Sequence, residues 1–210
     1  DLATELRNFP NITFIPISIS GRQTSLKTRY RATGQQILRV DDEVTSAIDS
    51  GAQQTLFESV NSVIASANML VLSDYAKGCL PEKVVRQLIS AAKAAKKLIA
   101  ADPKVTDLSV YADVDILTPN LQELSISAGT NLTELDTIGA TATRLAKTHS
   151  IGTIVTTLSA RGILASSADG TKSLRNTYFL KNFQYPKELM HNLDLIEDSF
   201  SNLKKILYRD

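Results

Sequence analysis

Short apolar runs with strand character alternate with helical patterns between residues 53 and 157. Four of these runs are predicted to be buried strands: Met69–Leu72, Lys97–Ala101, Val114–Leu117 and Gly152–Thr157. The first three are each followed by a polar loop and a segment with helical periodicity. This alternation is typical of right-handed βαβ units, in which helices cover a parallel sheet. The sequence therefore predicts an α/β fold.

The first of these strands ends abruptly at Ser73, and Asp74, Lys77 and Gly78 follow before Pro81 opens a helical pattern. In open α/β sheets, ligands bind in the loops at the carboxyl ends of the strands. Asp74 and Lys77 are therefore candidate ligand-binding residues. The pattern equally allows Asp74 only to cap the loop and Lys77 only to point to solvent.

Polar residues also follow the other predicted strands, namely Asp102, Asn120 and Thr157. The segments Asp102–Lys104 and Asn120–Glu123 could hold a metal–phosphate group through water, because Mg²⁺ prefers oxygen ligands and keeps several of its waters. In the second segment the candidate residues are Asn120 and Glu123. The same two residues also fit a capping box, which would only stabilise a helix start. The hydroxyl-rich turn Thr157–Gly162 could donate hydrogen bonds to phosphate oxygens. All these polar residues would lie on the same edge of a parallel sheet, and this shared position favours a nucleotide site.

The first 42 residues differ from the rest because they contain strand patterns without intervening helices. Asn11–Ser18 is β-branched and is predicted to be an edge strand because it contains Pro16. Ser25–Ala32 and Gln35–Val40 are predicted to form a hairpin around Thr33-Gly34. This section therefore resembles a small β appendage on the α/β body.

Three cations in the predicted hairpin, Lys27, Arg29 and Arg31, alternate along one strand and therefore share one face. Like charges on one face repel each other, so a phosphate or carboxylate ligand is one explanation of the pattern. The alternative is a solvated edge strand whose charges protect it from pairing with other chains.

The composition excludes several classes of function. A formal net charge of +1 gives no bulk electrostatic case for nucleic acid or an anionic membrane. The single cysteine, Cys79, cannot form an internal disulfide, which suits a reducing, cytoplasmic compartment. Its two histidines lack zinc-ligand spacing, and no apolar run approaches the roughly 20 residues of a membrane span. The chain begins with Asp1 instead of Met, so we expect the natural start to be missing.

Six motifs, taken in order, resemble those of the ribokinase family of sugar kinases. They are Lys27-Thr28-Arg29, Gln35–Asp41, Leu72–Gly78, Asp102–Lys104, Leu117–Glu123 and Thr157–Gly162. The likeness runs from about Asp1 to about Phe179, and within the family it is closest to the kinase domains of bifunctional heptose-7-phosphate kinases. The resemblance implies a ribokinase-like, three-layer α/β/α domain over residues 1–180, incomplete, with lid strands at about 11–41.

The resemblance also implies transfer of the ATP γ-phosphoryl group to the C1 hydroxyl of a sugar 7-phosphate, with Mg²⁺. Lys27 and Arg29 would hold the phosphate of the sugar, and Asp74 and Lys77 match a segment that faces the active-site cleft. Asn120 and Glu123 match the element that positions magnesium, bound at Glu123, and the ATP phosphates. Thr157, Ser159 and Gly162 match the turn that lines the nucleotide. Lid strands of this family often meet across a dimer, so a homodimer is a further expectation.

Two departures from the family bear on activity. The family carries a Gly-Ala-Gly-Asp element after the last hairpin, whose amides bind an anion and whose Asp is the catalytic base. From Thr171 to the last residue this chain contains no glycine. The family's glycine-rich opening section would lie before Asp1. An alternative to an active kinase is therefore an inactive remnant, or an interaction module of a split kinase gene.

The tail, residues 181–210, shows an amphipathic helical pattern that does not resemble the family. Its apolar residues recur at spacings of four and three: Leu189, Leu193, Ile196, Phe200, Leu203 and Leu207. Such a stripe could pack on the chain's own domain or pair with another chain, as in a coiled coil.

Overall fold

The computed structural model describes residues 4, 6, 8–104, 106–170 and, as backbone, 172–175. The helix predicted for the tail lies outside these described residues. The chain divides into two compact units, Asp1–Tyr111 and Ala112–Asp210. Each unit contains a parallel strand pair with helices between its strands, so the predicted α/β class is confirmed. None of the helices described is long and apolar enough to cross a membrane.

A two-stranded hairpin opens the regular structure of the first unit. Strands β1 (Leu26–Ala32) and β2 (Gln35–Asp42) pair antiparallel. They turn at Thr33 and Gly34, whose φ angles of 49° and 80° are both positive, as a two-residue hairpin turn requires. Tyr30 pairs with Leu38 and Arg31 with Gln36, so that Ile37 is an extra residue that bulges from β2.

The strand predicted over Asn11–Ser18 is wrong, since these residues adopt no regular structure. Ile12, Phe14 and Ile15 are exposed at 37–51%. A β-branched run becomes a strand only where a neighbouring strand completes its hydrogen-bond ladder. Pro16 also removes one of the donors that such a ladder would use.

The body of the first unit is a βαβ unit preceded by a helix. Its elements are α1 (Ser50–Val63), β3 (Met69–Ser73), α2 (Glu82–Ala94) and β4 (Leu98–Asp102). Strands β3 and β4 pair in parallel, with Leu70 opposite Ile99. One stripe of α2 is apolar and buried, and it consists of Val84, Val85, Leu88, Ile89 and Ala92. Their burial explains why the helix is amphipathic.

The second unit also contains two parallel strands joined through helices, and it ends in an antiparallel meander. Its elements are β5 (Ile116–Leu117), α3 (Leu121–Ala128), α4 (Leu135–Thr148), β6 (Thr153–Thr157), β7 (Ile163–Ser167) and β8 (Lys172–Arg175). Strands β5 and β6 are parallel, whereas β6–β7 and β7–β8 are antiparallel. The last hairpin turns at Gly170, whose φ of +90° is a conformation that favours glycine. Parallel strands with connecting helices thus place the ends of β5 and β6 side by side.

Candidate functional site

The start of α3 carries a reciprocal cap directly after β5. The side-chain oxygen of Asn120 accepts a hydrogen bond from the Glu123 amide at 2.9 Å, and the Glu123 carboxylate accepts one from the Asn120 amide at 2.8 Å. This pair satisfies two of the amides that a helix start leaves unbonded. The capping alternative is confirmed, and a role of the same residues toward a metal–phosphate group stays a prediction.

The carboxyl ends of β5 and β6 converge, as their parallel pairing requires. Asn120 and Thr157 form a parallel β-bridge, and the Thr157 amide donates to the Pro119 carbonyl at 3.1 Å. Two of the polar residues that follow predicted strands are therefore neighbours at one edge of the second unit. The side chain of Thr157 is exposed there.

The turn from Thr157 to Gly162 is closed by its own backbone. Leu158 donates to the Gly162 carbonyl at 2.8 Å, and Gly162 donates to the Ser159 carbonyl at 3.1 Å. Gly162 has φ +92° and ψ −141°, a conformation that only glycine adopts readily. The guanidinium of Arg161 donates to the Thr133 carbonyl at 2.7 Å, which ties the turn to the loop after α3. The turn is thereby held in one shape.

A cavity of about 860 Å³ lies beside this turn, within the second unit. Asn120, Thr157 and Ser159 line it, together with one side of α3 and the loop that follows that helix. Glu123 and Gly162, the other two residues predicted to bind the nucleotide, do not line it. Its volume lies in the range of small-molecule sites, which is roughly 300–1,000 Å³. The lining is mixed, because hydroxyl and amide side chains alternate with apolar residues such as Ile126 and Leu132.

The face of the hairpin that carries the predicted cations also carries carboxylates. Lys27 lies 3.3 Å from a carboxylate oxygen of Asp41 and 3.4 Å from one of Glu43. Arg39 contacts both oxygens of Asp41, one of them at 2.7 Å, and Lys77 pairs with the other oxygen of Glu43. The pattern predicts repulsion among cations, and the structure shows that two carboxylates offset much of it. Lys27 and Lys77 are brought together by sharing Glu43.

These contacts lower the pKa values of both carboxyl groups. The pKa of Asp41 is lowered chiefly by its hydrogen bond from Arg39, and that of Glu43 by its hydrogen bond from Lys77. Their contribution to stability is therefore complete above the ordinary carboxyl range, about pH 4 to 4.5. It is lost as the pH falls through the lowered values, because the protonated forms no longer attract the cations.

Arg29 and Arg31 are the two cations of the hairpin that pair with no carboxylate in the described part of the chain. Arg29 is exposed and lies opposite Arg39 in the β-ladder. Two arginines directly across a ladder repel each other. Of the two residues predicted to bind the sugar phosphate, Arg29 is the one whose guanidinium is not paired with a carboxylate. The ammonium group of Lys27 already contacts two carboxylates, and its role in binding phosphate stays a prediction.

Asp74 is buried at 3% exposure, although the sequence pattern also predicted a ligand-facing role. One of its carboxylate oxygens accepts a hydrogen bond from the Ala76 amide at 2.8 Å, and the other accepts one from the Tyr111 hydroxyl at 2.6 Å. Burial, followed by the hydrogen bond to Asp74, raises the pKa of Tyr111, which is itself fully buried. The loop-capping alternative for Asp74 is confirmed, and a role in binding substrate stays a prediction.

Sequence reasoning missed Tyr111 and Arg22. Tyr111 ends a short 3₁₀ segment, Leu108–Tyr111. Arg22 stands in an irregular stretch before β1, and no periodicity marks it. A buried tyrosine one strand away from a buried aspartate is visible only after the chain has folded.

A family model described as pfkB family carbohydrate kinase matches residues 12–179. The curated relatives include the bifunctional protein HldE of Paramagnetospirillum magneticum, which is 37% identical over 150 residues, or 71% of this chain and 31% of that protein. The bifunctional protein HldE of Acidiphilium cryptum is 31% identical over 169 residues, or 80% of this chain and 35% of that protein. The chain thus spans about a third of the length of these relatives.

Solved structures share the fold at lower identity. Ribokinase from Giardia lamblia superposes with a TM-score of 0.63 at 18% identity, covering 82% of this chain and 57% of that chain. A mutant of phosphofructokinase-2 from Escherichia coli superposes with a TM-score of 0.60 at 23% identity, covering 72% of this chain and 49% of that chain. These similarities establish a ribokinase-like fold.

Proposed function

Because this chain belongs to the pfkB family of carbohydrate kinases, we propose that it binds magnesium-ATP and a heptose 7-phosphate. The reaction of that site is transfer of the γ-phosphoryl group to the C1 hydroxyl, giving heptose 1,7-bisphosphate. We place this step in the cytoplasmic synthesis of the lipopolysaccharide core heptose. The choice of sugar rests on the similarity to HldE proteins over 71–80% of the chain.

The observation that carries the nucleotide half of the proposal is the convergence of Asn120 and Thr157 beside the cavity. Hydroxyl groups of Thr157 and Ser159 are the hydrogen-bond donors suited to phosphate oxygens. The backbone of the turn is already closed, so binding would cost little ordering of the chain.

The residues present fit magnesium held mainly by phosphate and water. Among the described residues, no three His, Cys, Asp or Glu side chains cluster as a metal cage. Mg²⁺ is commonly bound through one or two carboxylates plus substrate phosphates. Glu123 does not line the cavity, but it is bonded to the amide of Asn120, which does, and it is the carboxylate that would orient the waters of the ion. The bound ion would neutralise charge on the transferring phosphoryl group.

For the sugar phosphate, the proposal relies on Arg29. An anion between Arg29 and Arg39 would relieve the repulsion of two guanidinium groups that the ladder places opposite each other. Lys27 and Lys77 add positive potential to the same region, although both are paired with Glu43. A guanidinium can bind a phosphate through two parallel hydrogen bonds, which favours Arg29 over the lysines.

A second candidate function is an inactive, ligand-binding remnant or interaction module. It is favoured by residues 171–210, which contain no glycine and therefore no Gly-Ala-Gly-Asp element. Such a chain would keep the nucleotide site and lack the carboxylate that accepts the proton of the sugar hydroxyl. Binding and turnover measurements separate the two candidates.

Replacing Thr157 by valine is the sharpest test of the nucleotide site. The variant keeps the β-branched shape and removes the hydroxyl, so we expect magnesium-ATP to bind about tenfold more weakly. That factor corresponds to about 1.4 kcal/mol, close to the lower end for a hydrogen bond to a charged group. Isothermal titration calorimetry gives the dissociation constants. Thr153→Val, on the same strand and away from the cavity, is the control; equal losses in both variants would contradict the site.

We also propose that the hairpin forms a homodimer through its apolar face. Leu26, Tyr30, Leu38 and Val40 lie on the face opposite the cations and are 46–62% exposed. A two-stranded hairpin is marginally stable alone in water and needs a packing partner. A second copy offers the same apolar face and therefore fits by two-fold symmetry.

Replacing Leu38 by aspartate is expected to convert a dimer into a monomer. The change puts a charge in the centre of the apolar face, where a second copy would have to desolvate it. Size-exclusion chromatography with light scattering measures the mass at micromolar concentrations. Val63→Asp, an equally polar change at an exposed apolar residue of α1, should leave the mass unchanged. A monomeric parent chain would refute the dimer.

A further inference from the structure

The guanidinium of Arg22 binds three backbone carbonyls in two different segments of the first unit. One terminal nitrogen donates to the Ser46 carbonyl at 2.9 Å. The other donates to the Val44 carbonyl at 3.2 Å and to the Lys77 carbonyl. Arg22 stands four residues before β1, whereas Val44 and Ser46 directly follow β2. The side chain therefore joins the entry and the exit of the hairpin to the loop that follows β3.

The same loop is in direct backbone contact with the exit of the hairpin. The Ile48 amide donates to the Gly78 carbonyl at 2.9 Å. A Cβ atom built on Gly78 would lie 1.9 Å from the Ser46 carbonyl oxygen, so no other residue fits without movement of the backbone. Gly78 also has φ +71°, which favours glycine. At Gly78, the loop and the exit of the hairpin therefore pack too closely to leave room for a side chain.

The loop itself is held by the buried side chain of Asp74. Asp74 accepts the Ala76 amide and the Tyr111 hydroxyl, and its own amide donates to the Asp102 carbonyl at 3.2 Å. Ala76 has a positive φ of 53°, a conformation that the Asp74 contact supports. A rigid loop thus presents the Lys77 carbonyl to Arg22 and the Lys77 ammonium to Glu43.

From these contacts we infer that Arg22 is a positioning residue that sets the hairpin, and with it the Lys27–Arg29 face, on the loop Asp74–Gly78. The planar guanidinium carries its donors on separate nitrogens in a fixed fork, so it can span carbonyl groups in two segments, whereas the three donors of a lysine ammonium all sit on one atom. After loss of this fork, the Ile48–Gly78 hydrogen bond and the Lys77–Glu43 pair would still join the exit of the hairpin to the loop. The hairpin would then open about its root while the βαβ body stays folded.

Hydrogen exchange on the full 210-residue chain tests this inference directly. In Arg22→Lys, which keeps the charge, we expect the Ile48 amide to exchange at least tenfold faster than in the parent chain. The Asp74 amide, bonded to β4, should change less than twofold. Arg144→Lys, the same change at an exposed arginine of α4, should alter neither amide. Unchanged exchange at Ile48 would overturn the inference, as would a uniform rise accompanied by a fall in Tm, which would mark Arg22 as a general stabiliser.

A second readout rests on the proposed function and separates positioning from stability. Arg22→Lys should bind heptose 7-phosphate about tenfold more weakly and magnesium-ATP with unchanged affinity. Equal affinity for the sugar phosphate would overturn the positioning role. If the parent chain binds no heptose phosphate, the proposed substrate fails, while the exchange rates at Ile48 still decide whether Arg22 holds the hairpin.

Discussion

Replacing Asp74 by alanine is expected to lower the free energy of unfolding by about 3 kcal/mol or more. The change leaves the buried Tyr111 hydroxyl and the Ala76 amide without their acceptor. Each buried donor left unbonded costs roughly 1–3 kcal/mol, and hydrogen bonds to charged groups are the stronger ones. For a chain of this size, that loss corresponds to a fall in Tm of about 6–12 °C. Urea and thermal unfolding measure it.

A double-mutant cycle isolates the contact itself. Asp74→Asn and Tyr111→Phe each weaken the pair with little change of shape, so their effects should couple by about 0.5–3 kcal/mol. Asp42→Asn, at an exposed carboxylate that ends β2, should change the stability by less than about 0.5 kcal/mol. A stable Asp74→Ala variant that loses sugar-phosphate affinity would instead support the ligand-facing role predicted from the sequence.

The raised pKa of Tyr111 adds a pH signature to the same contact. Its neutral hydroxyl donates to Asp74, and ionisation would place two negative charges together in the core. The stabilisation is therefore complete below about pH 10, the ordinary tyrosine value, and is lost as the pH rises toward the higher pKa of the folded state. In Tyr111→Phe this alkaline loss should be absent.

Local patterns determined the elements that the sequence predicted correctly. The apolar stripe of α2 is visible because helical periodicity and burial coincide. The cap at Asn120 and Glu123 is visible because both partners lie within one turn of helix. The strand predicted at Asn11–Ser18 was wrong because its formation depends on a partner strand that the segment does not have.

The register of the hairpin could not be predicted from the sequence, because it depends on one bulged residue. A two-residue turn at Thr33-Gly34 with a regular ladder would pair Lys27 with Val40 and mix charged with apolar side chains on each face. The bulge at Ile37 shifts the ladder by one residue, so that Lys27 faces Asp41 instead. The shift places Lys27, Arg29, Arg39 and Asp41 on one face and Leu26, Tyr30, Leu38 and Val40 on the other. No feature of the sequence predicts the bulge.

Long-range backbone contacts were equally hidden. Arg22 binds backbone carbonyl groups, which every residue carries. Its partners therefore cannot be recognised from their residue types. Glu43 is adjacent in sequence to β2, yet its pairing with Lys77 spans 34 residues. The contacts of Arg22 and Glu43 with Lys77 depend on the approach of the loop after β3 to the root of the hairpin, which only the folded chain defines.

The largest functional effect we expect is the loss of phosphoryl transfer by the 210-residue chain. Kinases typically turn over at about 1–100 per second. Loss of a general base lowers the rate by roughly 10²–10⁴-fold, and loss of an anion hole lowers it further. Because residues 171–210 lack the Gly-Ala-Gly-Asp element, we expect turnover at least a hundredfold below that range. A phosphorus NMR time course with magnesium-ATP and heptose 7-phosphate, against a control without protein, measures it.

Combined with ATP titration, that time course separates the two candidate functions. A flat trace with measurable ATP binding that weakens in Thr157→Val would support a chain that kept the nucleotide site and lost the base. A flat trace without ATP binding would contradict the nucleotide site at Asn120 and Thr157. A sugar 1-phosphate signal that grows at about 1 per second would refute the prediction of inactivity. It would mean that the chain contains a base, which we would then expect among the carboxylates between Glu188 and Asp210. Single Asp→Asn and Glu→Gln changes would locate it by abolishing turnover while ATP affinity is retained.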